Sequence, residues 1–503
     1  MIWKDLIGEV AAVESAGDVT RSVTGVEYDS RRVRPGAAFV AIRGESTDGN
    51  RFVQKALDAG ASGIITDSAH TYDHLLVYQP GVPVIEVEHG RSALAQASAA
   101  YFGHPECKLN ATGITGTNGK TTTAFLAEAL LNAAARSTVL IGTIEYHVAG
   151  EVRPSLHTTP ESRDLMELLA EGVSRGATEL VTEVSSHALA QGRAAGISFD
   201  VAVFTNLTRD HLDFHGTMED YFAAKRLLFD GIVYPAPRVA VLNDHDAYSA
   251  RLAQASRGAG SEIRSYGIGR GDWRAASYSL VPGGAIIEIE TPAGSARIHS
   301  QLAGEVNILN LLAAFTAAHA RGVAFSDLVA AVPDLKPVPG RFQPVHAGQP
   351  FHVVVDYAHT DDALHNLITL ARQMVAQQRG RVLTVFGCGG DRDRTKRPRM
   401  GRVAGEGSDF VVATSDNPRS EDPMAILAEI EPGLKATGVR HVIEPDRTRA
   451  IHAALDEANA GDVVLIAGKG HEKVQILASG VIPYDDVEIA LLTLHELGYG
   501  GEQ

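Results

Sequence analysis

The run GITGTNGKTTT, Gly113 to Thr123, restricts what this chain can fold into more than any other stretch. It reads as the turn of a strand–loop–helix unit built to cradle nucleotide phosphates. Small residues let the backbone wrap an anion, so that N–H groups point at its oxygens. Gly116, Thr117, Asn118, Gly119, Lys120 and Thr121 fit GxxGK[ST], with Thr122 next in line. Ile114 stands where the longer GxxxxGK form requires glycine, so this is not a standard Walker A loop. Lys120 can reach the terminal phosphates, and Thr121 can hold the accompanying Mg²⁺. The apolar run FLAEALLNAAA then predicts a helix whose N-terminal dipole also favours phosphate. ATP is the ligand this segment implies.

A chain of 503 residues predicts roughly three domains, each able to bury its own core. Its net charge of −16 argues against a nucleic-acid partner or an anionic membrane surface. Any anionic substrate must therefore be met by local Arg, Lys and backbone N–H groups. The two cysteines, Cys107 and Cys388, lie far apart and in no metal-ligand spacing, which suits a reducing cytoplasm. The N-terminus interleaves charges with apolar residues and does not read as a signal peptide, and no uncharged apolar run approaches the roughly 18 residues of a membrane span. A cytoplasmic monomer working on small molecules is the expectation.

Short apolar runs alternate with helical patches throughout, which predicts an α/β fold in three units. Residues 1–100 form a small α/β unit containing AAFVAI and VPVIEV. Residues 101–337 hold the phosphate loop and the strand-like runs ATELVTEVSS and SFDVAVFTNLT, as expected of a doubly wound sheet with its site at the strand ends. The proline-dense PDLKPVPGRFQPV is the clearest linker and the expected hinge. Residues 338–503 form a third, Rossmann-like unit, in which FHVVVDYAHT, RVLTVFGCGG, DFVVATSDNP and GDVVLIAGKGHE are strands that end in charged or glycine-rich loops.

Two segments of the middle unit carry further chemistry. In TEVSSHALAQGR, Glu183 ends an apolar strand on the phosphate-loop side, where a carboxylate can ligate Mg²⁺. NLTRDHLDFHG places Asp210, His211, Asp213 and His215 within six residues. That spacing fits either a metal cluster, with histidine suiting Zn²⁺ better than Mg²⁺, or a polar loop. Lys225 follows on a helical stretch and by spacing alone is a surface lysine.

Together, GTNGKTT, EVSSHAL, NLTRDHLDFHG with its downstream lysine, and the GRFQ linker resemble the Mur ligases. That family joins an amino acid to a UDP-N-acetylmuramoyl peptide in peptidoglycan synthesis. The resemblance implies a central P-loop-type ATPase domain between an N-terminal UDP-binding domain and a C-terminal amino-acid-binding domain. It implies that Lys225 is carbamylated by CO₂ and, with Thr121, Glu183 and His211, holds Mg²⁺. Lys120, Lys225, Glu183 and His211 would be the catalytic set. Arg341 would pack near the adenine, with Asp356 and His359 near the nucleotide. The usual Thr-Pro-Asp after that histidine is Thr360-Asp361-Asp362 here, so the rigidity a proline gives is missing. In the N-terminal unit Ser30 matches a uridine-contacting serine, and arginines 31, 32, 34 and 43 offer positive charge. Thr158, Thr159, Ser185, Gln191 and Arg193 resemble contacts to the muramoyl peptide and its phosphates.

Asp416-Asn417-Pro418-Arg419 matches the diaminopimelate-adding members of that family. Meso-diaminopimelate differs from lysine by a second carboxylate at its far end, and Arg419 offers a bidentate fork for it, with Asn417 adding amide hydrogen bonds. Arg392, Gly468 and Glu472 would complete the pocket, Glu472 meeting an amino group. The implied reaction is ATP-driven amide formation through an acyl phosphate, which needs no protein nucleophile. The alternatives are the lysine-adding Mur ligase, a folylpolyglutamate synthase, and a nucleotide-dependent switch that makes no amide.

Overall fold

The computed structural model describes residues 1–44, 47–281, 284–376 and 380–500. Its strands form three larger sheets, one for each expected unit, and a small hairpin near the C-terminus. The first sheet runs Ala12–Ala16, Val84–Val87, Gly63–Thr66, Ala37–Ala41, Gly25–Glu27, parallel except for its first pair. Its strand Ala37–Ala41 is buried at every position, as a parallel strand covered on both faces must be.

The central sheet has eleven strands. Its inner six, Glu262–Ile268, Val239–Asn243, Phe199–Phe204, Asn110–Thr115, Glu179–Glu183 and Thr138–Ile141, are all parallel. Antiparallel strands extend it: Glu145–Val148 and Glu151–Pro154 on one edge, Gly284–Thr291 and Gly294–Ser300 beyond Trp273–Val281 on the other. Helices Lys120–Ala133 and Glu305–Ala320 contribute Leu126, Leu130, Leu311 and Phe315 to one core layer. Because Asn110–Thr115 lies between Phe199–Phe204 and Glu179–Glu183, the phosphate loop, Glu183 and the 205–211 segment all emerge at one carboxyl edge. Ligands bind at that edge in open α/β sheets.

The third sheet runs Gln343–Val345, His352–Asp356, Val463–Ala467, Val382–Cys388, Phe410–Ser415, Arg440–Ile443, parallel after its first pair. Four of its strands deliver Asp356, Gly468, Arg392 and Asp416 to their carboxyl ends. Among the described residues no helix is long and apolar enough to cross a membrane.

Side chains tie the units together. Tyr28 Oη donates to Asp164 Oδ2 at 2.7 Å, and Arg32 Nη1 to Asp164 Oδ1 at 2.9 Å. Asn118 Nδ2, in the phosphate loop, donates to Asp362 Oδ2 at 2.8 Å. Arg209 reaches Asp393 at 3.2 Å and also Thr395. The missing proline at position 361 is compensated locally. Asp361 opens the helix Asp361–Val375, the Thr360 side chain caps it by accepting from Ala363 N, and the first turn is acidic. Asp362 then anchors that helix to the phosphate loop. The arginines expected to offer free positive charge near Ser30 are largely engaged: Arg31 pairs with Asp29, Arg32 with Asp164 and Arg43 with Asp67.

Candidate active site

The phosphate loop bends as the glycines require. Gly116 has φ of 149° and Gly119 of 86°, in a region that disfavours side chains. A Cβ on Gly116 would meet Thr205 Oγ1 at 1.9 Å, and one on Gly119 would meet Asn310 Oδ1 at 2.4 Å. The loop is braced from behind: Thr117 N donates to Asn206 O at 2.8 Å and Asn118 N to Asn206 Oδ1 at 2.9 Å.

Two lysines converge on one carbonyl. Lys120 Nζ donates to Gly116 O at 3.0 Å, and Lys225 Nζ donates to the same oxygen at 2.8 Å. Lys225 is not the surface lysine its spacing suggests. It is 1% exposed, with its Nζ 4.6 Å from the centre of the Tyr221 ring. Burial, and then the charge of Lys120, push its amine well below the ordinary lysine value against the pull of Asp210. Lys120 is lowered too, chiefly by burial, with Glu183 and Asp210 opposing. A neutral amine is a nucleophile, and burial beside Lys120 favours that form of Lys225.

Glu183 is fully buried, and its carboxylate accepts only from uncharged donors. Thr121 Oγ1 and Thr143 Oγ1 each lie 3.0 Å from Oε2, and Thr143 N lies 2.7 Å from Oε1. Among the described residues no Lys or Arg comes within ion-pair distance of it. Lys120 acts on it from beyond that distance, and oxygens held by hydroxyl and amide donors alone can still take a cation. His211 lies near it in the same pocket, and its imidazole is pushed down to about 3, mainly by burial, so it is neutral and able to ligate. Thr121, Glu183 and His211 thus bring a hydroxyl, a carboxylate and a neutral imidazole to one pocket. The Asp210–His215 segment does not close into a cluster of its own. His215 Nε2 faces Ser186 Oγ at 2.9 Å, and among the described residues no group of three or more His, Cys, Asp or Glu could hold a metal ion. His187, unused by the expected chemistry, packs its ring 4.8 Å from that of His211.

Lys120, Thr121, Glu183, Asp210 and His211 line a cavity of about 320 Å³ shared by the central and C-terminal units. From the linker, Arg341 Nη2 donates to Thr121 Oγ1 at 3.2 Å, while its guanidinium stacks 4.6 Å from the Tyr357 ring. Asp356 lines the cavity and also accepts from Phe342 N at 2.7 Å, which fixes the turn that aims Arg341. His359 Nε2 lies 3.9 Å from Asp210 Oδ2.

A second cluster occupies the carboxyl edge of the third sheet. Asn417 Nδ2 donates to Glu472 Oε2 at 2.8 Å, and Gly468 lies against Asp416. Arg419 is half-buried, with φ of 52°, and donates to the carbonyl of Gly390 at 2.8 Å. Burial, with Arg392 beside it, pulls its guanidinium below the ordinary value. Among the described residues no carboxylate pairs with it. The sequence reading missed Lys469, which links Asn417 to Glu472; it stands inside the GKGHE motif, but nothing in the spacing marks it as buried.

Near the first unit, Thr159 Oγ1 donates to Glu183 O at 2.8 Å and accepts from Ser185 N at 3.1 Å, and Arg193 Nη1 donates to Thr159 O at 3.3 Å. Thr158 Oγ1 is 3.1 Å from Thr143 Oγ1. Thr158, Thr159, Ser185 and Arg193 are thus one assembly behind Glu183, with Gln191 on the same short segment. Ser30 is buried on the turn whose Tyr28 and Arg32 hold Asp164.

Family models match nearly the whole molecule: Mur ligase family catalytic domain over residues 22–102, Mur ligase middle domain over 114–318, and Mur ligase glutamate ligase domain over 340–470. The chain belongs to the Mur ligase family, and it is an ATP-dependent ligase that forms amide bonds. It is 49% identical, over 95% of its length and 94% of the relative's, to the UDP-N-acetylmuramoyl-L-alanyl-D-glutamate–2,6-diaminopimelate ligase of Solibacter usitatus. A solved ligase of the same name aligns over 99% of both chains with 32% identity and a TM-score of 0.70. Folylpolyglutamate synthase from Mycobacterium tuberculosis, at 18% identity, 75% of this chain, 92% of that chain and a TM-score of 0.60, shares the fold alone.

Proposed function

We propose that this enzyme adds meso-2,6-diaminopimelate to UDP-N-acetylmuramoyl-L-alanyl-D-glutamate at the expense of ATP, in peptidoglycan synthesis. The uridine end lies by Ser30, the muramoyl peptide crosses Thr158, Thr159, Ser185, Gln191 and Arg193, and the nucleotide occupies the loop from Gly116 to Thr122 with Arg341, Asp356 and His359 around it. The domain limits near residues 100 and 337 fit this division. A monomer in the cytoplasm is part of this reading, and two unpaired cysteines suit that compartment.

Lys225 acts first as a nucleophile: its neutral nitrogen attacks the carbon of CO₂, an N–C bond forms, and one proton leaves to solvent. The anion so made faces Lys120, where a cation would be repelled. Mg²⁺ on Thr121, Glu183, His211 and that carbamate would offset charge on the transferred phosphoryl group. Lys120 and the loop N–H groups hold the γ-phosphate in line with the glutamate carboxylate. A carboxylate oxygen attacks phosphorus and ADP departs. The acceptor amine then attacks the acyl carbon, and inorganic phosphate leaves with the attacking oxygen as the nitrogen loses a proton. Positioning and electrostatics supply the rate.

The observation that carries the acceptor assignment is the half-buried Arg419, lowered by burial, beside Arg392 and without a carboxylate partner. A second carboxylate on the amino acid completes it, and lysine has none to offer. Arg419→Ala is expected to lower kcat/KM for diaminopimelate on the order of 10²-fold while changing that for lysine little. Steady-state assays with both acceptors decide it. Equal losses for the two, or a wild-type enzyme that uses lysine as well as diaminopimelate, would favour the lysine-adding reading.

A further inference from the structure

Lys469 is wholly buried, yet it lies in the acceptor cluster and not in the core. Its Nζ donates to Asn417 Oδ1 at 2.9 Å and to Glu472 Oε2 at 3.2 Å, and lies 3.7 Å from Asp416 Oδ1. That Asp416 oxygen is buried and has no hydrogen-bond partner among the described residues. Asn417 Oδ1 also accepts from Ile476 N at 2.9 Å. Two donors on the amide oxygen fix the amide's orientation, so its NH₂ is turned to Glu472 and the pocket. One ammonium is thus shared between two carboxylates. Side-chain exposure of 27% at Glu472, 11% at Asp416 and 0% at Lys469 puts the carboxylates at the pocket wall and the cation behind them.

The cluster therefore has two poles. Arg392 and Arg419 form a cationic pole; Asp416 and Glu472 form an anionic pole that Lys469 cuts to one net negative charge. A zwitterionic amino-acid end, with an ammonium and a carboxylate on one carbon, matches two such poles. An end bearing an ammonium alone leaves the arginines unpaired but is still drawn to the carboxylates. The stronger the anionic pole, the less the missing carboxylate counts against that second ligand.

We infer that Lys469 is a specificity-determining residue: by holding Asn417 and neutralising one of the two carboxylates, it makes the acceptor pocket reject amino acids that lack the distal carboxylate. This rests on the diaminopimelate reading above. Lys469 sits behind the wall and acts through Asn417, Asp416 and Glu472.

The test is the ratio of kcat/KM for diaminopimelate to that for lysine. Lys469→Gln can still donate to Asn417 but carries no charge. It is expected to lower the ratio on the order of tenfold, with KM for ATP unchanged. Asp416→Asn in the same background returns the carboxylate pole to one negative charge and is expected to restore most of the ratio. If Lys469→Gln does not fold, Asp416→Asn alone shifts the charge the other way and is expected to raise the ratio. A buried lysine that only supports the fold would depress both acceptors together, so an unchanged ratio in these variants overturns the inference and leaves the function standing. A wild-type enzyme indifferent to the two acceptors overturns the functional reading, and this inference with it.

Discussion

Replacing Lys225 with methionine is expected to lower turnover on the order of 10³-fold and, in CO₂-free buffer, to raise the melting temperature. The two effects have one cause. The Lys225 amine is buried beside Lys120 and is held well below its ordinary value. The fold favours the neutral amine more than the unfolded chain does, so unfolding takes up protons between the folded and unfolded values. Stability from this group therefore rises with pH between its folded value and the unfolded value of about 10.4. Methionine, similar in length and uncharged, removes that cost, so its advantage fades as the pH rises toward the unfolded value of about 10.4. The hydrogen bond it forgoes ends on Gly116 O, which keeps Lys120 as a donor. Lys225→Arg places there a fixed cation that cannot be carbamylated, and it should be as inactive as the methionine variant. Turnover in bicarbonate-supplemented and CO₂-depleted buffer, with calorimetry, checks both halves. An active arginine variant would contradict the carbamate, and a methionine variant of full activity would remove Lys225 from the chemistry.

Lys120→Ala is expected to lower kcat by about 10²- to 10³-fold while leaving KM for the UDP substrate nearly unchanged. Its ammonium lies against Gly116 O and Thr117 O, 3.0 and 2.9 Å away, at the turn that would wrap the phosphates. In so buried a site a fixed cation stabilises charge moving onto the transferred group far better than water does. Lys120 is also the closest positive charge to the anion proposed on Lys225, so the alanine variant should need more bicarbonate for its residual activity. Because the two lysines act on one phosphoryl transfer, the double variant should lose scarcely more than either single one. Initial rates against ATP, UDP substrate and bicarbonate settle the point. Additive losses would show that the lysines work independently.

Much of this site was legible in the chain because its parts are contiguous. A glycine-rich turn between an apolar strand and a helix specifies its own conformation, and Gly116 and Gly119 adopt the positive φ that the motif demands. DNPR and GKGHE were legible for the same reason, since each is a strand end with its loop. What could not be read is what the fold assembles from distant segments. Asn118 and Asp362 are 244 positions apart, and Tyr28 and Asp164 are 136. No local pattern marks either pair. Burial was the other hidden quantity: Lys225 and Lys469 both look like solvated cations in sequence, and both lie against groups supplied by other elements. The antiparallel strands at the edges of the central sheet were also missed, since short alternating runs near turns carry a weak signal.

The central claim is that a peptide carboxylate is activated as an acyl phosphate, and isotope transfer tests it most directly. UDP-N-acetylmuramoyl dipeptide labelled with ¹⁸O in the reacting glutamate carboxylate is incubated with ATP, Mg²⁺ and diaminopimelate, and the released phosphate is examined by mass spectrometry. The account predicts one labelled oxygen in each phosphate, formed together with ADP and the extended peptide. Unlabelled phosphate alongside the extended peptide would contradict it.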